Sequence, residues 1–290
     1  MTMTDAAVPF TGTAYGDTLF AAAPRTVAAT DAAPLALEGV SLSFGGVTAL
    51  SDVDLVFGEG LITSVIGPNG AGKSSLGNII CGIYKPDHGR VWIGGRAFRR
   101  APTSRLAKLG IARTFQNLGL FKGLSTFDNI ATGLSFAGRA TIFEQTLGLP
   151  RARREAAETR RRVEEAIELL HLTGVADRLV GGLPYGVQKR IELARAFVAA
   201  PKTLLLDEPL AGMTIEDKAE MSGFIRSVRD RLGATVVLIE HDIGLVMSLS
   251  DRVAVLDYGV KIAEGTPENV RNNPAVIGAY LGVPHETGEG

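Results

Sequence analysis

The chain has 290 residues, 46% of them hydrophobic and 21% charged, with a formal net charge of −1. That length buries one sizeable core with room for a subdomain, and the near-neutral charge excludes a general attraction to nucleic acid or to anionic lipid. No uninterrupted apolar run reaches the roughly 18 residues of a membrane span, and the single cysteine, Cys81, excludes an internal disulfide and suits a reducing compartment.

Residues 1–34 are rich in Ala and Thr and show neither helical nor strand period, so they are expected to form a disordered tail. The apolar stretch around Phe20–Ala23 lacks a preceding basic region, the first basic residue being Arg25. The expectation is therefore no export signal and a cytoplasmic location. Strand-like runs then begin near Leu35 and include Ser41–Phe44, Val53–Phe57 and Leu61–Ile66. A turn cluster, Lys85–Gly89, precedes Arg90–Ile93. The short turns between these early runs predict antiparallel pairing.

Directly after the apolar run Leu61–Ile66 comes Gly67-Pro68-Asn69-Gly70-Ala71-Gly72-Lys73-Ser74. This is G-x-x-x-x-G-K-[ST], a phosphate-binding loop. Its glycines let the backbone aim several N–H groups at one point, and the following helix adds its positive end. Lys73 is the residue to reach the β- and γ-phosphates, and the Ser74 hydroxyl the one to hold Mg²⁺. Leu76, Ile79, Ile80 and Ile83 recur at i, i+3, i+4, i+7, which predicts the required helix. Cys81 falls on that helix and reads as a small buried residue.

Residues 118–195 read as mainly helical. Within 151–170, Val163, Ala166, Ile167 and Leu170 make an apolar stripe, and Arg160/Glu164 and Arg161/Glu165 form i,i+4 pairs. Acids interleave with the arginines, so the stretch reads as a solvated helix face. Thr203–Leu206 and Thr235–Ile239 are two further buried runs, each ending in polar residues: Asp207-Glu208 and Glu240-His241-Asp242. Ligands bind at the carboxyl ends of strands in open α/β sheets, so both clusters are expected to converge on the phosphate loop. A hairpin is predicted at Asp257-Tyr258-Gly259, and Thr266-Pro267 reads as a helix start. Trp92 and Tyr258 are expected to be packing residues.

Taken together, these residues resemble the ATP-binding-cassette (ABC) ATPase family over about residues 35–282. The matched elements fall in the family's order. Phe44, in Ser43-Phe44-Gly45-Gly46, resembles the aromatic that stacks on adenine, though its position in a strand also permits a buried packing role. Residues 67–74, with Ser75 beside them, resemble the Walker A loop. Gln116, in Thr114-Phe115-Gln116-Asn117, resembles the Q-loop glutamine that senses Mg²⁺ and water. Thr203–Pro209 resembles the Walker B segment, with Asp207 on the metal and Glu208 on the attacking water. His241 resembles the switch histidine.

The signature segment departs from the family pattern. Leu183-Pro184-Tyr185-Gly186-Val187-Gln188 places Pro184 where a serine is usual, leaving Gly186 and the helix end to meet a phosphate. Thr214 stands where an aspartate is usual. Together these imply a weakened signature site and a non-identical partner ATPase. The Leu-x-Tyr-Gly-x-Gln form, Ile239-Glu240-His241-Asp242, and the tail segments Gly265-Thr266-Pro267-Glu268, Asn272-Asn273-Pro274 and Ala279-Tyr280-Leu281-Gly282 resemble an ATPase subunit of the branched-chain amino-acid importers.

The resemblance implies an α/β fold: a P-loop NTPase (RecA-like) core with an antiparallel β subdomain and a helical subdomain over about 118–195, flanked by tails at 1–34 and 283–290. It also implies ATP and Mg²⁺, a second ATPase subunit, two membrane permease subunits and, indirectly, an external solute-binding protein, with no nucleic acid. The chain would lie against the inner face of the plasma membrane through the permeases. Leu118–Phe127 would lie near the groove that takes a permease coupling helix, with Leu120, Phe121 and Phe127 either touching that helix or packing in the subdomain core. Two other readings share this core: an exporter ATPase, for example for lipopolysaccharide, and a soluble ABC module without membrane partners.

Overall fold

The computed structural model describes residues 33–114, 119–135 and 149–281. Two sheets organise it. Strands β1 (Leu35–Phe44), β2 (Val47–Phe57), β4 (His88–Ile93) and β5 (Arg96–Phe98) form an antiparallel sheet in the order β2-β1-β4-β5. Strands β3 (Ile62–Ile66), β6 (Ile111–Arg113), β7 (Thr203–Asp207), β8 (Thr235–Ile239), β9 (Arg252–Asp257) and β10 (Val260–Gly265) form the second, ordered β10-β9-β3-β8-β7-β6. All its neighbours run parallel except the β9–β10 hairpin.

Strands β3, β7 and β8 are buried along their whole length. That explains their continuous apolar sequences, because a parallel sheet covered on both faces has no polar side. The pleat divides their side chains between two cores. Leu204, Leu206, Val236 and Leu238 face one core, and Leu205, Val237 and Ile239 face the other. The first core is closed by helices α2 (Thr126–Ala131), α3 (Pro150–Leu169), α4 (Tyr185–Phe197) and α5 (Ile215–Leu232). The second is closed by α1 (Lys73–Ile80) and the antiparallel sheet. Helices α6 (Ile243–Leu249), α7 (Pro267–Arg271) and α8 (Pro274–Leu281) cover a third cluster around Ile66, Val253 and Val255.

Most elements match the sequence expectations, and the α3 stripe Val163, Ala166, Ile167 and Leu170 is buried as its period requires. The solvated face carries Arg160–Glu164 and Arg161–Glu165 pairs at 3.6 and 3.3 Å. The Thr266 hydroxyl accepts from Asn269 N–H at 3.3 Å, capping α7 with Pro267 in its first turn. Two residues depart from expectation. Ile83 lies beyond the end of α1, which stops at Ile80, and is 44% exposed. Tyr258 occupies the tip of the β9–β10 hairpin with φ 42° and is 86% exposed, so it packs against little. Short strands β5 and β6 lacked any readable period. Among the described residues, no helix is long and apolar enough to cross a membrane.

Candidate active site

The site begins where β3 ends. Gly67 has φ 153°, and a Cβ there would stand 2.0 Å from the Leu256 carbonyl oxygen. Gly72 has φ 100°, and a Cβ there would stand 2.4 Å from the Ala49 oxygen. Both positions therefore require glycine, and the loop they bracket is pressed against β2 and β9. Ala71 is buried and anchors the loop from within, while Asn69 and Gly70 are exposed at its crest. The N-terminus of α1 has no side-chain cap and no acidic residue in its first turn. Its N–H groups are thus left to an anion.

Lys73 is buried and folds back over the loop, donating from Nζ to the Gly67 oxygen at 2.8 Å and the Pro68 oxygen at 2.9 Å. Burial pulls its pKa below the ordinary lysine value, and the negative charge of Glu208 opposes that shift. Glu208, 135 positions away in sequence, is thus close enough for its charge to act on Lys73. Ser74 is exposed on the first turn of α1, and Ser75 is partly exposed beside it.

Asp207 ends β7 with 3% exposure. Its Oδ2 accepts from Arg113 Nη2 at 2.6 Å, and Arg113 Nη1 donates to Asn78 Oδ1 at 2.9 Å. One guanidinium on β6 therefore joins α1 to β7. Glu208 adopts φ 47° and donates its N–H to the Ile239 oxygen at 2.9 Å, which seats it against the end of β8. Glu240 and His241 follow directly. His241 is 57% exposed at its side chain, with Nδ1 3.8 Å from Glu240 Oε2. The two polar strand ends converge as the parallel register requires, Asp207 standing opposite Ile239.

Phe44 ends β1 and is 45% exposed. Its ring and that of Tyr84 meet edge to face, with centroids 5.1 Å apart and planes inclined at 69°. This exposure removes the buried packing role and leaves an aromatic face open. Gly186 lies in the first turn of α4, and a Cβ there would stand 3.1 Å from the Asp217 carboxylate on α5. Its described neighbour is thus Asp217 and not the phosphate loop. Gln116 lies outside the described residues. Thr114, just before it, is held by an N–H bond to the Leu205 oxygen at 3.0 Å, so β6 delivers the chain to the edge of the site.

The sequence gives no sign of Arg113 or Asn78 at this site, and it places Glu240 in a polar cluster at a strand end without its bond to the Leu210 N–H. Arg113 stands three residues before Gln116, but its partner Asp207 is 94 positions away, and only the β6–β7 pairing brings them together.

The donor set suits a hard divalent ion: the Ser74 hydroxyl and the Asp207 carboxylate are both oxygen donors, few enough to leave positions for phosphate and water. A phosphate cradle, a cation on Lys73 and a carboxylate on Glu208 are what transfer of a phosphoryl group to water needs.

Comparison with known proteins agrees with this chemistry. Residues 50–211 match the ABC transporter family, and residues 260–286 match a family described as branched-chain amino acid ATP-binding cassette transporter. The high-affinity branched-chain amino acid transport ATP-binding protein LivG of Salmonella typhimurium is 39% identical over 248 residues, covering 86% of this chain and 97% of the relative. BraF of Pseudomonas aeruginosa, described in the same words, is 38% identical with the same coverage. A solved ATP-binding cassette of an ABC transporter in its ADP conformation superposes with a TM-score of 0.73, at 30% identity, over 86% of this chain and 98% of that one.

Proposed function

This chain belongs to the ABC transporter family, and on that premise we propose that it is the ATP-hydrolysing subunit of an importer for branched-chain amino acids. That it is a nucleotide-binding ATPase coupled to transport follows from the family itself. The observation that carries the hydrolytic reading is the buried Lys73 folded over the phosphate loop at the end of β3, with Asp207 and Glu208 at the end of β7 in the same parallel sheet. The match of residues 260–286 and the names of the relatives support the solute class. The exporter and soluble-module readings have no such support.

In this reading Phe44 stacks on the adenine, and the Gly67–Ser75 loop with the α1 N-terminus holds the phosphates. Ser74 and Asp207 hold Mg²⁺, with Gln116 beside them, and the ion supplies charge neutralisation on the phosphates. Glu208 orients and deprotonates the attacking water. His241 donates to the γ-phosphate as charge develops there.

We assign the permease contact to a cavity of about 430 Å³. Gly110, Phe121, Ser135, Arg195 and Pro201 are among the residues that line it, where β6 meets the helical segment. Phe121 is 55% exposed there, whereas Leu120 and Phe127 pack into the core. A short helix with an apolar face fits such a groove. The assembly is taken as two ATPases, two permeases and an external binding protein, with the ATPases at the inner membrane face. Pro184 and Thr214 favour a non-identical ATPase partner, and Gly186 is the group left to meet that partner's nucleotide.

The test is uptake. Vesicles holding the full complex with ATP inside should accumulate labelled leucine from the binding-protein side, and Glu208→Gln should abolish it. A complex that hydrolyses ATP yet moves no branched-chain amino acid would overturn the solute assignment.

A further inference from the structure

One buried carboxylate has no part in the scheme above. The Glu240 side chain is 1% exposed. Its Oε1 accepts from the Leu210 N–H at 3.0 Å, and its Oε2 accepts from the His241 N–H at 3.2 Å. Burial pushes its pKa up, and the two N–H donors and His241 oppose that shift. Leu210 opens the 210–214 loop that follows Glu208-Pro209. The carboxylate is therefore a clasp between that loop and the histidine of the site.

Two independent contacts extend the clasp. Lys218 Nζ, in the first turns of α5, pairs with Asp242 Oδ2 at 2.7 Å. Asp242 Oδ1 in turn accepts from Leu245 N–H at 3.2 Å, capping α6. At the other end, a Cβ on Gly212 would stand 3.4 Å from Cε1 of Tyr185, the aromatic of the altered signature segment. One packed path thus runs from Tyr185 through the 210–214 loop to Glu240 and His241. Only a carboxylate presents acceptors to both backbone N–H groups; a glutamine would turn its NH₂ toward one of them.

We infer that Glu240 is a positioning residue for ATP hydrolysis: its carboxylate locks the 210–214 loop to His241, so that the signature segment and the histidine move as one piece. This rests on the ATPase reading given above. Its consequence is separable from nucleotide binding, because each oxygen of Glu240 is engaged by a backbone N–H, one from Leu210 and one from His241.

Glu240→Gln in the full chain tests it. The Kd for ATP should stay within about twofold of wild type while kcat falls about tenfold, the size of a typical coupling between sites. Tyr185→Ala should shift the His241 imidazole proton resonance in the wild-type background and leave it unmoved in the Glu240→Gln background. Wild-type kcat in Glu240→Gln, or an equal response of His241 in both backgrounds, would overturn the inference. If Glu240→Gln does not fold, Lys218→Met cuts the outer tie: lowered kcat with unchanged Kd supports the clasp, and unchanged kcat overturns it. A wild-type chain that hydrolyses no ATP in its complex would instead defeat the functional reading itself.

Discussion

Arg113 Nη2 stands 2.6 Å from Asp207 Oδ2, and the two side chains are only 11% and 4% exposed. The same guanidinium reaches Asn78 on α1. A single cation therefore holds together three elements around the site's buried aspartate. A buried carboxylate stripped of its partner is an uncompensated charge, and that loss outweighs the modest value of the intact pair. Arg113→Met should destabilise the chain by about 3–5 kcal/mol in urea unfolding. Arg113→Lys should fall between, because an ammonium cannot serve Asp207 and Asn78 with one planar fork. A loss under about 1 kcal/mol for Arg113→Met would show the pair to be incidental.

Phe44 meets Tyr84 edge to face, with nearly half its surface open. Stacking of a base on such a ring contributes about 1–2 kcal/mol. Phe44→Ala should therefore weaken ATP binding by roughly 5- to 30-fold, and Phe44→Tyr should leave it near wild type. Binding of a fluorescent ATP analogue measures this directly. Equal affinity in Phe44→Ala would remove the residue from the adenine site.

Tyr280 on α8 has a buried hydroxyl that makes no hydrogen bond of good geometry among the described residues, although the Gly67 backbone lies close to it. Burial pushes its pKa up to about 12; the nearby Gly67 backbone opposes this only in part, and the Asp257 charge adds to it. The folded state then keeps a proton that the unfolded chain gives up near the ordinary tyrosine value. Stability from this group is present below about pH 10 and is lost as pH rises toward 12. Tyr280→Phe should flatten that alkaline limb. At neutral pH it should leave stability unchanged or raise it by about 1 kcal/mol, since it removes an unsatisfied buried polar atom. A clear loss at neutral pH would show that the hydroxyl has a partner after all.

The core was legible because two kinds of local signal coincide in it. Gly67–Ser74 is a contiguous motif whose strand and helix flank it, and the runs Thr203–Leu206 and Thr235–Ile239 carry their burial in composition alone. Strand-end geometry puts Asp207-Glu208 and Glu240-His241-Asp242 side by side, and the β7–β8 register does set these two strand ends next to each other. What stayed illegible lacked such local marks. Arg113 on a three-residue strand shows no period, and the sequence gives no sign that the Glu240 carboxylate is taken by the Leu210 N–H 30 positions away. Ile83 and Tyr258 misled for the opposite reason. The apolar period runs past the end of α1, and an aromatic at a hairpin tip looks like core.

In the proposed reaction Glu208 activates water beside a triphosphate held by Lys73. The decisive measurement is single-turnover ATP hydrolysis by the complex carrying Glu208→Gln, set against equilibrium ATP binding by the same protein. Binding should stay at wild-type affinity while hydrolysis slows by about 10²–10⁴-fold, the scale of losing a general base. Hydrolysis at the wild-type rate, with binding intact, would remove Glu208 from that role.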